Sequence, residues 1–331
     1  MKLIIPMAGM GKRMRPHTLT IPKPLIPVAG KPIVQRLAEE ITKVSKSKIE
    51  EIAFIIGNFG KEVENTLLSV AENLGAKGKI YYQTEALGTA HAIYCAEPSL
   101  NEKIIIAFAD TLFKADFNLN EETDSVIWTK QVDNPEAFGV IKKDSKGNIT
   151  DFIEKPKKFV SDEAIIGIYY FKDGNKLRKE LKYLIDNNIR GNNEFQLTDA
   201  LENMKNKNIN FKSATVTEWL DCGNKDATVH TNQRILHHTG NIISEKSIQK
   251  FSVIIEPCSI DEGAEIHSSV IGPFVSVGKN TIIKNSVISN SIIQSNCNIK
   301  EAVFSNSMIG NYVNINKNKE NLSIGDYNTI K

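Results

Sequence analysis

Short apolar runs alternate with longer amphipathic stretches from the start of the chain to about position 230. The opening run KLIIPM is followed by IVQRLAEEITKV, then by EIAFIIG and then by KEVENTLLSVAENL. Short apolar runs are typical of buried strands, whereas apolar residues spaced three or four apart are typical of amphipathic helices. Further strands are predicted at KIYYQ, KIIIAFAD, SVIWTKQV, GVIKKD and AIIGIYYF. The pattern therefore predicts βαβ units and an α/β domain with a mostly parallel sheet.

From about residue 245 the pattern changes to branched apolar residues at a spacing near six. They include Ile254, Ile260, Ile266, Ile271, Val277, Ile283, Ile309, Ile315, Ile324 and Ile330. Three copies share one local form, IGPFVSV, IGNYVNI and IGDYNTI. Such a repeat predicts a parallel β-helix in which three hexads complete one coil, and ordinary strands would not explain the repeated Ile-Gly pairs. The stretch NKDATVHTNQRILHH is predicted to be a linking helix.

Composition and charge narrow the class of protein. The 331 residues include 41 basic and 39 acidic side chains, without a long block of either sign, which gives no indication of nucleic-acid or membrane binding. No apolar run reaches the roughly 18 residues of a membrane span. The four cysteines are far apart and form no CxxC, so neither a disulfide framework nor a thiolate zinc site is predicted. We therefore expect a soluble, cytoplasmic protein of two domains.

The first strand ends in a glycine turn that carries several cations, AGMGKRMRP. A Walker A loop needs four residues between its glycines, but only one separates Gly9 from Gly11, and Arg13 stands where a Ser or Thr is required. A dinucleotide fingerprint would need a third glycine in place of Met14. The remaining interpretation is a strand-to-helix turn that binds an anion through backbone N–H groups, with Arg13 adding a charge-assisted hydrogen bond.

A second cation lies between two prolines in the stretch TIPKPLIP. Pro22 and Pro24 restrict the backbone on both sides of Lys23. A fixed ammonium next to an arginine suits a polyphosphate, because the two charges would stabilise its leaving end. The N-terminal segment is therefore predicted to bind such a ligand.

Eight motifs occur in an order that resembles the sugar-1-phosphate nucleotidyltransferases, or NDP-sugar pyrophosphorylases. They are AGMGKRMRP, IPKPLIPVAGKP, QTEALGTAHA, FADTLF, FGVIKKDSKGNITDFIEKP, IIGIYYF, NEFQLTDAL and WLDCG. The strongest resemblance is to glucose-1-phosphate thymidylyl- and uridylyltransferases, and the hexads resemble the left-handed β-helix of many long members. This implies a Rossmann-like catalytic domain with a mixed, mostly parallel sheet over 1–230, a linker over 231–244 and a left-handed parallel β-helix over 245–331.

The family joins a nucleoside triphosphate to a sugar 1-phosphate by in-line attack on the α-phosphorus, with release of pyrophosphate. Such a reaction needs mainly alignment and charge neutralisation from the protein. The resemblance implies that Arg13 holds the β- and γ-phosphates and that Lys23 neutralises charge at the α-phosphate. The backbone of Ala8, Gly9 and Gly11 would hold the nucleotide.

The resemblance also implies a Mg²⁺ site formed by two aspartates. Asp110 ends the apolar stretch KIIIAFAD, at the strand edge where α/β sheets bind ligands, and Asp221 lies in WLDCG. Two carboxylates suit Mg²⁺, which takes its other ligands from water and phosphate. In one departure, Thr111 stands where relatives commonly carry Asn.

The remaining positions carried over from the family bind the base and the sugar phosphate. Gln83 and Gly88 match the base-binding pair, although an amide can pair with uracil or thymine alike. The residues implied for the sugar and its phosphate are Gly139, Glu154, Lys155, Ile165, Gly167 and Glu194. His91 is expected to be structural, and acyl transfer at His267 is disfavoured.

We therefore expect an enzyme that uses dTTP or UTP with glucose 1-phosphate and forms a homo-oligomer through its β-helix. Synthesis of GDP-mannose or UDP-N-acetylglucosamine remains an alternative within the class. A non-catalytic regulatory subunit is the alternative outside it, but such a protein would tend to lack one of the charged residues that are present here.

Overall fold

A computed structural model describes residues 1–9 and 11–317 of the chain. Its contacts divide the chain into two units, one of residues 1–26 and 32–224, the other of residues 27–31 and those from 225 onward. This division differs from the predicted boundaries, because residues 225–230 and the predicted linker, 231–244, belong to the C-terminal unit. The reason is that residues 225–239 form one continuous helix, which belongs to that unit.

The part of the chain up to residue 224 alternates strands with helices, as predicted. The strands are β1 (Lys2–Pro6), β2 (Pro27–Val28), β3 (Lys31–Pro32), β4 (Glu51–Ile56), β5 (Lys77–Tyr82), β6 (Ile104–Ala107), β7 (Thr111–Lys114), β8 (Ser125–Gln131), β9 (Gly139–Lys143), β10 (Ile149–Glu154), β11 (Glu163–Phe171), β12 (Phe211–Thr215) and β13 (Glu218–Asp221). The α-helices are α1 (Ile33–Val44), α2 (Lys61–Asn73), α3 (Thr89–Tyr94), α4 (Gly174–Asp186) and α5 (Leu197–Asn206). Single 3₁₀ turns occupy Lys12–Met14, Lys23–Leu25, Glu97–Ser99 and Pro135–Ala137.

Nine of these strands form one mixed sheet in the order β10-β9-β11-β6-β1-β4-β5, with β8 pairing with β11 and β12 with β8. Strands β5, β4, β1 and β6 are mutually parallel. Strand β11 runs antiparallel to β6, β8 and β9, and β10 runs antiparallel to β9. Only β10 and β11 are therefore reversed, which confirms the predicted mixed, mostly parallel sheet.

The position of β1 in this sheet determines where ligands can bind. Strand β1 pairs with β4 on one side and with β6 on the other, so the chain order changes direction at this point. Open α/β sheets bind ligands in the crevice at the carboxyl ends of such strands. The loop after β1 carries Ala8 and Gly9, and the loop after β6 carries Asp110.

The central strands are almost entirely apolar because helices cover both faces of a parallel sheet, and the exceptions, Lys2 and Glu51, are the first residues of β1 and β4. All four residues of β6 are fully buried. On one face, Ile4 and Ile106 share a core cluster with Leu177 and Leu181 of α4 and Leu201 of α5. This core holds the strand ends that carry the candidate site.

The C-terminal unit contains helix α6 (Lys225–Thr239), which matches the predicted linking helix except at Asn224. Its strands are β14 (Ile242–Ile243), β15 (Ile248–Lys250), β16 (Val253–Ile254), β17 (Cys258–Ile260), β18 (Glu265–His267), β19 (Val270–Ile271), β20 (Val275–Val277), β21 (Ile282–Lys284), β22 (Val287–Ile288), β23 (Ile292–Ile293), β24 (Asn298–Lys300), β25 (Val303–Phe304), β26 (Met308–Ile309) and β27 (Asn314–Asn316). They form three parallel sheets, β14-β17-β20-β23-β26, β15-β18-β21-β24-β27 and β16-β19-β22-β25. Three such sheets, each gaining one strand per coil, are the arrangement expected of a left-handed parallel β-helix.

The aliphatic residues of the repeat lie inside the coils, as predicted. Ile260, Ile266, Ile271, Val277 and Ile283 are almost fully buried. The coil is slightly shorter than the predicted three hexads. Ile266 pairs with Ile283 in the next coil, and Ile283 pairs with Ile299 in the one after it. Each of these pairs is separated by fewer residues than three hexads contain.

Two predicted features of the repeat, Ile324 with Ile330 and the copy IGDYNTI, lie outside the described residues. No helix in the described ranges has both the length and the apolar character needed to span a bilayer.

Candidate active site

The turn after β1 contains two glycines with different surroundings. Gly11 has a left-handed backbone (φ 57°) and begins the 3₁₀ turn that carries Arg13. A Cβ on Gly11 would lie 3.1 Å from the side chains of both Lys23 and Thr18, and Thr18 donates a hydrogen bond to the Gly11 carbonyl (2.9 Å). A Cβ on Gly9 would meet no atom within 4 Å. The turn therefore packs tightly on the Lys23 segment at Gly11 and leaves open space at Gly9.

Lys23 and Asp110 form an ion pair at the floor of the crevice. The Nζ atom of Lys23 lies 2.9 Å from Oδ2 of Asp110, and the lysine side chain is only 12% exposed. Pro22 precedes the 3₁₀ turn of Lys23 in an extended conformation, and Pro24 lies within that turn. The prolines thus hold the lysine backbone, as the sequence predicts.

Strand pairing brings Asp221 to Asp110, although the two are far apart in sequence. Strand β13 pairs with β7 so that Asp221 lies opposite Thr111, and the backbone N–H of Cys222 donates to the Asp110 carbonyl (3.1 Å). Burial raises the pKa of Asp221, and the negative charge of Asp110 raises it further. The N–H of Gly223 and the charges of Lys23 and Arg13 oppose this rise. The charges of Arg13, Lys23 and Asp110 therefore all act on Asp221.

Two adjoining cavities open at these residues. The first, of 440 Å³, is lined by the predicted nucleotide residues Ala8, Gly9, Gly11, Gln83 and Gly88, and by Lys23 and Glu194. The second, of 700 Å³, is lined by Gly139, Glu154, Lys155, Ile165, Gly167 and Asp221. Both cavities are lined by Arg13, Thr89, Phe108 and Asp110. Glu194, predicted with the sugar residues, lines the first cavity and not the second.

Gly88, which lines the first cavity, is a position that accepts only glycine. Its φ is 116°, and a Cβ would lie 2.5 Å from the carbonyl oxygen and 2.7 Å from the nitrogen of Phe195. The N–H of Phe195 donates to Leu87 (2.8 Å), and the N–H of Ala90 donates to Phe195 (2.9 Å). The loop around Gly88 is therefore held against the Phe195 backbone.

The second cavity contains a partly buried carboxyl group, that of Glu154. Burial raises the pKa of Glu154; the Lys155 charge opposes this, and Asp199 and Glu194 add to it. A Cβ on Gly139 would lie 3.1 Å from Oε2 of Glu154. The absence of a side chain at Gly139 therefore leaves room for this carboxyl group.

The sequence did not predict the aromatic wall of the second cavity. The rings of Phe138 and Trp219 meet edge to face with centroids 4.8 Å apart, and both line the cavity. The indole Nε1 of Trp219 is buried and has no hydrogen-bond partner among the described residues. The only signal for Trp219 is its place in WLDCG, two residues before Asp221. Phe138 lies just before Gly139, but nothing local pairs it with Trp219.

A family model of nucleotidyl transferases matches residues 2–238. The chain belongs to the nucleotidyl transferase family, and the resemblance found in the sequence is thereby confirmed.

Three relatives illustrate the range of this similarity. The chain is 28% identical to a glucose-1-phosphate thymidylyltransferase of Streptomyces antibioticus, covering 85% of this chain and 83% of that protein. It is 34% identical to the bifunctional protein GlmU of Methanococcus aeolicus over 80% of this chain, but spans only 62% of that protein. A solved structure of a UDP-glucose pyrophosphorylase complexed with UDP-glucose matches with a TM-score of 0.59 and 25% identity, covering 72% of this chain and 98% of that one.

Proposed function

We propose that the protein transfers a nucleotidyl group from dTTP or UTP to glucose 1-phosphate and releases pyrophosphate. The observation that carries this proposal is that Arg13 and Asp110 line both cavities, between the nucleotide residues on one side and the sugar residues on the other. A reaction that joins two phosphorylated substrates needs charged groups at their meeting point. The thymidylyltransferase and UDP-glucose pyrophosphorylase relatives support these substrates.

In the proposed reaction, a phosphate oxygen of the sugar 1-phosphate, held in the second cavity, attacks the α-phosphorus of the nucleotide in the first. A new P–O bond forms there, and the bond from the α-phosphorus to the bridging oxygen breaks, with its electron pair leaving on pyrophosphate. Arg13 would hold the departing phosphates, and Lys23 would offset the negative charge at the α-phosphate. Lys23 is held by prolines and by Asp110, so little reorganisation is needed.

Asp110 and Asp221 would hold Mg²⁺, a divalent metal of the kind that the family generally uses. When bound, Mg²⁺ would act as a Lewis acid on the phosphates. The pKa of Asp221 is raised by burial and by the negative charge of Asp110, so the two carboxylates repel each other. A bound divalent cation would offset this repulsion. Among the described residues no group of three or more His, Cys, Asp or Glu could hold a metal, so this pair would rely on water and phosphate for its other ligands.

A second candidate is the synthesis of UDP-N-acetylglucosamine, which the similarity to GlmU favours. The same two cavities would serve, with the acetamido group in the second. A GDP-mannose product has no feature of this kind to support it. A non-catalytic role is disfavoured because all four predicted charged residues converge.

The test is pyrophosphate release by the full chain with Mg²⁺, using each of dTTP, UTP, ATP, GTP and CTP with glucose, mannose or N-acetylglucosamine 1-phosphate. We expect the highest kcat/KM for dTTP or UTP with glucose 1-phosphate. A preference for UTP with N-acetylglucosamine 1-phosphate would support the second candidate. Nucleotide binding without any pyrophosphate release would support a regulatory subunit.

We further propose that two or more copies of this cytoplasmic protein associate through one face of the β-helix. Each strand of the third sheet presents a valine outward, and Val253, Val270, Val287 and Val303 stack in register. Val287 is 47% exposed and Val303 71%. The second sheet presents instead the polar column Lys250, His267, Lys284 and Lys300. A continuous exposed apolar stripe is typical of a surface that another chain covers.

A further inference from the structure

The side-chain amide of Gln83 is held by two groups of the loop and helix that follow it. Its Nε2 atom lies 3.3 Å from the carbonyl oxygen of Gly88 and 3.2 Å from Nδ1 of His91. Gln83 follows β5 and lines the first cavity, whereas His91 lies on α3 behind it and is not in the cavity wall. The amide therefore connects the cavity to a half-buried histidine.

These two contacts determine which way the amide faces. A backbone carbonyl can only accept a hydrogen bond, so the NH₂ of Gln83 must face Gly88. The second N–H of the same group then points at His91, whose Nδ1 must accept it and whose ring proton must be on Nε2. Both amide protons are thus used within the protein, and no described residue donates to Oε1 of Gln83.

The carbonyl that fixes the amide is itself fixed. Gly88 lies against the backbone of Phe195. On either side of this contact, the N–H of Phe195 donates to the carbonyl of Leu87, and the N–H of Ala90 donates to the carbonyl of Phe195. Thr89 accepts a further hydrogen bond from the N–H of Leu197 (3.0 Å). The orientation of Gln83 is thus preorganised by a loop that cannot rotate its carbonyl without breaking these contacts.

We propose that His91 is a positioning residue for base selection: it holds the amide of Gln83 so that Oε1 accepts a hydrogen bond from a ring N–H of the nucleotide base. This inference depends on the proposed function for the presence of a nucleotide in the first cavity. Uracil and thymine carry a proton on ring atom N3, whereas cytosine carries a lone pair there, which an oxygen acceptor would repel. A fixed acceptor therefore favours UTP and dTTP over CTP, and the 2′-hydroxyl or 5-methyl group plays no part in it.

The same contact makes base binding dependent on the protonation of His91. Burial lowers the pKa of His91, and of the charged groups that face it, Glu85 opposes this while Arg190 adds to it. At neutral pH the imidazole is therefore neutral and Nδ1 can accept. Below this pKa, Nδ1 would carry a proton and confront the amide NH₂, so the amide would lose its orientation.

The test compares His91→Leu, which removes the acceptor, with His91→Asn, which places an amide oxygen near the position of Nδ1 but does not titrate. Binding of UTP and of CTP to the full-length wild type and to each variant is measured by calorimetry with Mg²⁺ and without sugar phosphate, at a series of pH values from 7.5 downward. We expect His91→Leu to bind UTP about tenfold more weakly and to lose most of the preference for UTP over CTP. His91→Asn should retain both.

The low-pH measurements separate the histidine from the phosphates, which also titrate. Wild type should lose its preference for UTP over CTP as the pH falls through the lowered pKa of His91, whereas His91→Asn should keep it over the same range. The inference is overturned if His91→Leu retains the preference, if it loses affinity for UTP and CTP equally, or if a folded His91→Asn behaves like His91→Leu.

The binding assay also keeps this inference apart from the proposed function. If wild type binds UTP as expected but releases no pyrophosphate with any sugar phosphate, the proposed function fails and the inference stands. If wild type binds neither nucleotide, the nucleotide site itself is wrong and both fail.

Discussion

The ammonium of Lys23 lies 2.9 Å from the carboxylate of Asp110, and the two residues reach this contact by different routes. Prolines fix the backbone of Lys23, whereas Asp110 follows the buried strand β6. The lysine side chain is 12% exposed and the aspartate 41%. Asp110 thus presents an accessible carboxylate to the crevice, while the ammonium of Lys23 already offsets part of its charge.

Replacing either Asp110 or Asp221 should abolish turnover without unfolding the protein. We expect Asp110→Asn and Asp221→Asn each to lower kcat for pyrophosphate release by about 100-fold or more, because each removes a negatively charged oxygen ligand. Mg²⁺ affinity, measured by calorimetry, should fall in parallel.

The matched control is Asp116→Asn, at an exposed position outside both cavities. It should leave kcat and Mg²⁺ affinity near the wild-type values. Near-normal kcat in both Asp110→Asn and Asp221→Asn would remove the metal assignment.

The sequence predicted the α/β domain, the β-helix and most of the candidate site because those features depend on local patterns. Alternating apolar runs, hexads and ordered motifs carry strand, coil and binding positions within a few residues of one another. Features that depend on register between distant segments were not predictable in this way. The meeting of Phe138 with Trp219 requires the folded arrangement of segments that lie far apart in the sequence. The amide of Gln83 acquires its orientation only when α3 places His91 behind it.

The length of the β-helix coil is another feature that the sequence predicted only in part. The spacing near six was visible in the sequence, but the number of residues per coil depends on how tightly each corner turns. Asn285, Asn290 and Asn296 have left-handed backbones at such corners. Asparagine tolerates that conformation better than most residues, which allows shorter corners than three full hexads would provide.

A side chain at Gly88 should damage the nucleotide end of the site. Gly88→Ala would place Cβ 2.5 Å from the Phe195 carbonyl oxygen, so the loop must move and the Gln83 contact with it. We expect a loss of about 1–3 kcal/mol in the free energy of unfolding and a higher KM for the nucleotide. The measurements are urea denaturation and nucleotide-dependent initial rates.

Gly60→Ala isolates the effect of the clash, because Gly60 also has a positive φ (87°) but open space around a Cβ. It should carry the backbone strain alone and leave the nucleotide KM unchanged. An equal rise of KM in both variants would show that the contact with Phe195 is unimportant.

Glu121 should make the protein sensitive to acid. Burial alone would raise its pKa, but hydrogen bonds from the hydroxyl and backbone N–H of Ser47 and from Lys103, whose charge adds to them, outweigh this and lower the pKa from 4.5 to about 2. The stabilisation is complete above pH 4.5, where the unfolded state is also ionised. It is lost as the pH falls from 4.5 toward 2, because the unfolded state binds a proton that the folded state does not.

The free energy of unfolding, measured by urea denaturation between pH 7 and pH 3, should therefore fall less steeply in Glu121→Gln than in wild type. Glu121→Gln should also be less stable than wild type at pH 7. The exposed Glu136→Gln is the control and should follow the wild-type curve. A Glu121→Gln curve parallel to that of wild type would contradict the shift.

The valine stripe of the β-helix should determine the oligomeric state. Val287 and Val303 are exposed and stacked in register on the third sheet, so Val287→Lys with Val303→Lys would place two charges in a contact between copies. Burying unpaired charges is costly, and we expect the variant to sediment as a smaller species than wild type. Asn316→Lys adds a charge at an exposed position next to Lys300 in the polar column of the second sheet and should leave the oligomer intact. A monomeric wild type in light scattering would refute the association, and an intact oligomer in the double variant would place the contact on another face.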